Sequence, residues 1–137
     1  MNERTPPSRR LSADVVAAVR DGKGLRIRAG ATHRFIGIWV VVVERRVFVR
    51  SWSVTARGWY RALLKNPRGF IQIGKRTIPV LAVRTRSGRL RDAVDRAYLA
   101  KYSTPGALRY AKDLGSPKSR ATTLELRPAP RRNPPQA

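Results

Sequence analysis

The stretch that most constrains the fold is the uncharged run Phe35-Ile36-Gly37-Ile38-Trp39-Val40-Val41-Val42-Val43. A helix needs about 20 apolar residues to cross a bilayer, so this run is too short to span one. Its Val, Ile and Trp content favours a strand. It lacks clean alternation, so both faces are expected to be covered, as in a barrel strand lying between the core and a helix or a partner chain. Glu44-Arg45-Arg46 then turns the chain. With no Asn-Gly or glycine pair there, a hairpin loop longer than two residues is expected. Val47–Ser53 alternates and returns antiparallel.

The remaining elements follow from period and punctuation. Leu11–Asp21 reads as a helix with Ser12 as N-cap, a Val15/Val16/Val19 face and Gly22 as its stop. Leu25–Ala29 alternates apolar and basic residues, which fits a strand with one wet face. Arg57–Asn66 reads as a helix with Trp59 and Leu63 inward, ended by Pro67. Phe70–Ile73 and Thr77–Val83 are predicted to pair across a Gly74-Lys75 turn of type II′. Pro79 cannot donate to a ladder, which places its side of that strand at an edge or bulge. Leu90–Tyr102 is an amphipathic helix with an expected Asp92–Arg96 pair. Thr104-Pro105-Gly106 opens a short helix to about Leu114, and Thr122–Leu126 is a last strand. The expected fold is therefore α+β: a six-stranded, mainly antiparallel split β-barrel with flanking helices. Residues 11–127 form the domain, between a disordered basic tail at 1–10 and a disordered Pro/Arg tail at 128–137.

The chain has 30 basic and 8 acidic residues, a formal net charge of +22. Such a surface attracts polyanions: nucleic acid, anionic membrane or phosphorylated small molecules. Most of the basic residues are arginine, which a GC-rich genome also produces. The absence of cysteine excludes disulfides and thiolate zinc sites. One histidine, His33, with no cysteine or nearby carboxylate, gives neither a metal site nor a nucleophilic centre. No apolar segment near Met1 resembles a signal peptide, so a cytoplasmic, non-membrane protein is expected.

Val47–Ser51, the helix Trp59-Tyr60-Arg61-Ala62-Leu63-Leu64-Lys65-Asn66-Pro67 and the hairpin Ile71-Gln72-Ile73-Gly74-Lys75-Arg76 resemble, in type and order, the split β-barrel of flavin-binding oxidoreductases. That group includes the pyridoxamine-phosphate oxidases and the deazaflavin-dependent reductases. The chain departs from the latter at Ala62, where they usually carry Asn, and at Val54-Thr55-Ala56-Arg57, where they carry a Gly-rich segment. Ile38–Val41, Phe48–Ser51, Trp59–Ala62, Asp92-Ala93-Val94-Asp95-x-Ala97-Tyr98-x-x-Lys101-Tyr102 and Thr122–Leu126 are similar to a bacterial domain-of-unknown-function family, the one numbered 2255.

The resemblance implies an FMN- or deazaflavin-binding, oxidoreductase-like homodimer. Arg50 and Ser51 end one strand and Thr55 and Arg57 begin the next helix, so a phosphate is expected at that junction. Two or three charge-assisted hydrogen bonds, each worth about 1.5–3 kcal/mol, would hold it. Trp52 is placed to cover the ring, and Lys75 and Arg76 to clamp an anionic tail from the facing subunit. The plainer reading makes Arg50 and Arg57 ordinary surface arginines, Trp39, Trp59 and Tyr60 core residues, and Lys75–Arg76 a solvated turn. Two alternatives stand beside the cofactor: a basic nucleic-acid-associated protein, nonspecific at low salt, and a cofactor-less dimeric barrel. The sequence shows no helix-turn-helix, zinc or RNP-like motif and no visible row of exposed aromatics for stacking single strands.

Overall fold

The long apolar run does not form one strand. In the computed structural model, which describes residues 10–31, 33–52 and 58–129, it is broken at Trp39. In chain order the elements are α1 (Ala13–Asp21), β1 (Leu25–Ala29), β2 (Ile36–Ile38), β3 (Val40–Val43), β4 (Arg46–Val49), α2 (Trp59–Lys65), β5 (Arg68–Ile73) and β6 (Arg76–Arg84). They continue with α3 (Gly88–Lys101), α4 (Pro105–Asp113), the short α5 (Pro117–Arg120) and β7 (Leu124–Pro128).

The strands form one antiparallel sheet of seven, in the order β2-β1-β5-β6-β7-β4-β3. The seventh strand arises from the break at Trp39. β2 and β3 are consecutive in the chain yet stand at opposite ends of that order, so the chain at Trp39 brings the two sheet edges together into a nearly closed barrel. A closed or nearly closed sheet removes the exposed edges that would otherwise invite pairing with other chains.

The missing alternation in Val40–Val43 also has a direct cause. Val40 faces the barrel interior, beside Val47, Val49, Ile27, Ile71, Val80 and Leu126. Its neighbour Val41 faces outward, with Phe48, onto Leu90, Val94 and Tyr98 of α3 and onto Leu114. Both are buried, so neither side could be polar. The interior is completed by Val15, Val16 and Val19 of α1 and by Trp59, Tyr60 and Leu63 of α2.

Caps and turns account for most boundaries. Ser87 and Thr104 accept the backbone N–H groups of Leu90 (3.2 Å) and Ala107 (3.3 Å), opening α3 and α4. Ser12 stands at the N-cap position of α1 but its side chain makes no capping bond; its hydroxyl donates to the Asp14 carboxylate at 2.6 Å. The β5–β6 turn is a two-residue loop with Gly74 at φ 57°, the positive value a II′ turn needs at its first central position. Pro79 pairs with Phe70 but lies just beyond the reach of β7, whose ladder ends at Val80, so the side of β6 facing β7 is locally an edge there.

Two expectations are corrected. The β3–β4 loop is not longer than two residues: Val43 pairs with Arg46, and Glu44 and Arg45 make the turn with φ of 53° and 60°. This is the conformation of a type I′ turn in residues that disfavour it; Glu44 also makes an exposed ion pair with Arg89 on α3. Asp92 does not pair with Arg96; it is taken by Arg120 at 2.7 Å. β7 extends through Pro128, while residues 1–9 and 130–137 of the expected tails lie outside the described residues. Among the described residues no helix is long and apolar enough to cross a membrane, and no His/Cys/Asp/Glu group could hold a metal.

Candidate functional site

An open cavity of about 760 Å³ lies where β1, β2 and the β5–β6 turn meet. It is built by register. Arg26 lies opposite Gly37 on one side and Gln72 on the other, so these three share one face of the sheet. Lys23 and Arg26 are exposed, and among the described residues neither has a carboxylate partner. Gly24, Gly37 and Gly74 leave backbone bare along the wall, and Trp39 is part of the lining. Gly24 is required by a close approach, since a Cβ there would stand 2.7 Å from the Ile38 carbonyl oxygen. Among the described residues no acid lines the cavity, and its charged lining residues, Lys23 and Arg26, are both cationic.

Trp39 joins this cavity to an aromatic cluster. Its indole stacks on Tyr102 with centroids 4.0 Å apart and meets Trp52 (5.3 Å) and Tyr110 (6.4 Å) edge to face. Trp52 and Tyr110 are also edge to face at 6.4 Å, and each is 42% exposed. Tyr102 anchors the group from below: its hydroxyl donates to the Lys23 carbonyl at 2.5 Å and accepts the Val40 N–H at 3.1 Å. Burial pushes its phenol above the ordinary tyrosine range. Beside it, the half-buried Lys101 ammonium donates to the carbonyls of Val19 and Val40, both at 2.9 Å. Burial lowers the pKa of that ammonium.

Residues 16–126 match the family described as "Uncharacterized protein conserved in bacteria (DUF2255)". The chain belongs to this family. No curated protein matches it. Among solved structures it is similar to the crystal structure of the conserved hypothetical protein Rv2991 from Mycobacterium tuberculosis. That similarity has a TM-score of 0.59 at 11% identity and covers 96% of this chain and 87% of that one, so it speaks for the fold alone.

The stretch Asp92 to Tyr102 is the device that seats α3 on the barrel. Val94 is fully buried. The Tyr98 hydroxyl accepts the Arg50 N–H and donates to the Trp39 carbonyl, both at 3.1 Å. Asp95 binds Arg50 with one oxygen and Arg120 with the other, the latter at 2.6 Å. Lys101 and Tyr102 hold the chain where it passes from β2 to β3. These side chains meet backbone groups that the barrel leaves unpaired, which explains why polar residue types recur on a packed helix.

Arg50 therefore lies elsewhere than a phosphate site would need. Its side chain has no exposed surface, and its guanidinium donates to Thr123 Oγ1 (2.8 Å), the Leu114 carbonyl (2.8 Å), the Arg91 carbonyl (2.9 Å) and Asp95. Burial lowers its pKa, against the pull of Asp95. Ser51 is buried too, its N–H bonded to Thr122 Oγ1 at 2.8 Å. Thr55 and Arg57 lie outside the described residues. Trp52 is exposed in the aromatic cluster, Lys75 is exposed at the turn beside the cavity, and Arg76 pairs with Asp14 of α1 at 2.7 Å. Lys23, Arg26 and Gln72 were missed by sequence reasoning. The one available signal was the alternation of Leu25–Ala29, which puts Arg26 on the wet face.

Proposed function

We propose that this protein is a flavin- or deazaflavin-binding, oxidoreductase-like split barrel whose cofactor lies in the Lys23–Arg26–Trp39 cavity. The observation that carries the reading is the pairing of an acid-free, doubly cationic cavity of about 760 Å³ with an indole in its lining. Its volume falls within the range of about 300–1,000 Å³ typical of small-molecule sites. Lys23 and Arg26, with Lys75 at the rim, would hold phosphate or carboxylate groups. The bare backbone at Gly37 and the Gln72 amide would meet the polar edge of a ring, and Trp39 its face. A flavin or deazaflavin supplies the hydride chemistry itself, so the chain need only bind, orient and exclude water.

A homodimer belongs to the same reading. Phe35, Phe70 and Leu81 stay only half-buried. Phe70 lies in register with Arg28 and Leu81 with Arg127, on the same outward side as Arg26 and Gln72. A second copy there would cover apolar surface and wall the cavity; light scattering of the purified protein would return twice the chain mass.

Titration with FMN and, separately, with the deazaflavin coenzyme, followed by quenching of tryptophan fluorescence, tests the cofactor reading. Micromolar binding of one of them is expected, and Arg26→Gln should weaken it about tenfold, the worth of one charge-assisted hydrogen bond. Binding of neither at micromolar concentration would sink it.

A further inference from the structure

The cavity leaves two features unused: the large positive charge and the exposed rings beside Trp39. Six of the seven described carboxylates, Asp14, Asp21, Glu44, Asp92, Asp95 and Glu125, are already engaged by arginines. The surplus cations are thus not neutralised locally. One cation stands directly at the aromatic cluster: the Arg109 guanidinium lies 4.8 Å from the Tyr110 ring centroid and donates to its hydroxyl at 2.9 Å, with Asp113 one turn further along the same helix.

Trp39, Trp52 and Tyr110 come from three separate parts of the chain, so no row of aromatics is visible in the sequence. They meet edge to face at 67°, 84° and 89°. Trp52 and Tyr110 are each 42% exposed, which leaves aromatic surface beside Trp39 on which a base can stack. We propose that the Trp52–Tyr110 surface, with Arg109 beside it, binds single-stranded nucleic acid by stacking unpaired bases and pairing the backbone phosphates with cations. Charge complementarity selects a polyanion. Flat ring faces select one whose bases are free, because the bases of a duplex are already stacked on each other. The surface needs no base-specific contacts, so sequence preference is weak and salt dependence is strong.

The test uses the full chain and 15-nucleotide oligo(dT) and oligo(U), with a DNA duplex of equal length as comparison, at several salt concentrations. Tryptophan fluorescence and anisotropy of a labelled strand report binding. The single strands are expected to bind more tightly than the duplex near physiological salt. Trp52→Ala and Tyr110→Ala should each weaken single-strand binding at least about fivefold. Trp52→Phe should restore most of the loss, and circular dichroism of each variant confirms folding. Arg109→Gln should lower the slope of log affinity against log salt by about 1. Equal binding of duplex and single strand, or alanine variants that bind like the parent, would overturn the proposal and leave only diffuse charge attraction. Neither ring lines the cavity, so this outcome is independent of the cofactor titration.

Discussion

A guanidinium without exposed surface has to find its acceptors inside the protein, and Arg50 finds two backbone carbonyls, a threonine and a carboxylate. Removing it takes a donor from each of them and leaves Asp95 paired with Arg120 alone. Arg50→Met is expected to cost about 3 kcal/mol, the low end for breaking a buried pair because Asp95 is partly exposed. Urea unfolding checks this, and Arg50→Lys should recover only part of the loss, since an ammonium cannot reproduce the fork. Glu125 gives a second prediction. Burial raises its pKa, but hydrogen bonds from Arg46 and Arg127 outweigh burial, and the net shift is downward from 4.5. A carboxylate with a depressed folded pKa contributes stability that is full above its unfolded value and is lost as pH falls through the folded one. Glu125→Gln should therefore lower stability near neutral pH and flatten the acid limb of a stability–pH curve below about pH 4.5. The strand alternation alone held part of this information. It puts Arg50 on the same side as Phe48, the side that α3 covers. The partner Asp95, 45 residues away, was not legible.

At the scale of elements, the β3–β4 hairpin keeps a tight turn that its residues resist. Two non-glycine residues with positive φ carry a cost of roughly 1–2 kcal/mol each in the left-handed region. Replacing Glu44-Arg45 by Asn-Gly should raise stability by about 1 kcal/mol, after allowing for the lost Arg89 contact, which is exposed and worth little. A shift in the urea midpoint without a change in slope would confirm it. The β1–β5 pair shows the opposite constraint. A Cβ on Gly69 would stand 2.6 Å from the Arg28 carbonyl oxygen and 3.1 Å from a Leu63 methyl. Gly69→Ala should cost about 1–3 kcal/mol, because the strands and α2 have no slack there. The Gly74 turn and the start of a helix after Thr104 were legible because each depends on residues a few positions apart. The short turn at Glu44 was misread because residue preference there yields to tertiary packing, which fixes where β3 and β4 meet.

For the whole molecule, charge and closure act together. Most acids are paired locally, so the excess positive charge is self-repulsive, and added salt screens that repulsion more than it weakens exposed pairs. The melting temperature is expected to rise between low and moderate sodium chloride; a fall would mean that the ion pairs dominate. What the amino-acid sequence determined by itself was the set of strands and helices, the β5–β6 turn and the basic balance. These rest on periodicity, capping and composition, which are short-range or additive properties. The tertiary structure decided the rest. It split the apolar run at Trp39 so that one continuous stretch supplies both ends of the sheet, and it turned Arg50 from a surface cation into a buried clamp. It also gathered Trp39, Trp52 and Tyr110 into one exposed cluster beside a cationic cavity. Those outcomes depend on which distant segments pack together, and distant packing is settled only when the barrel closes.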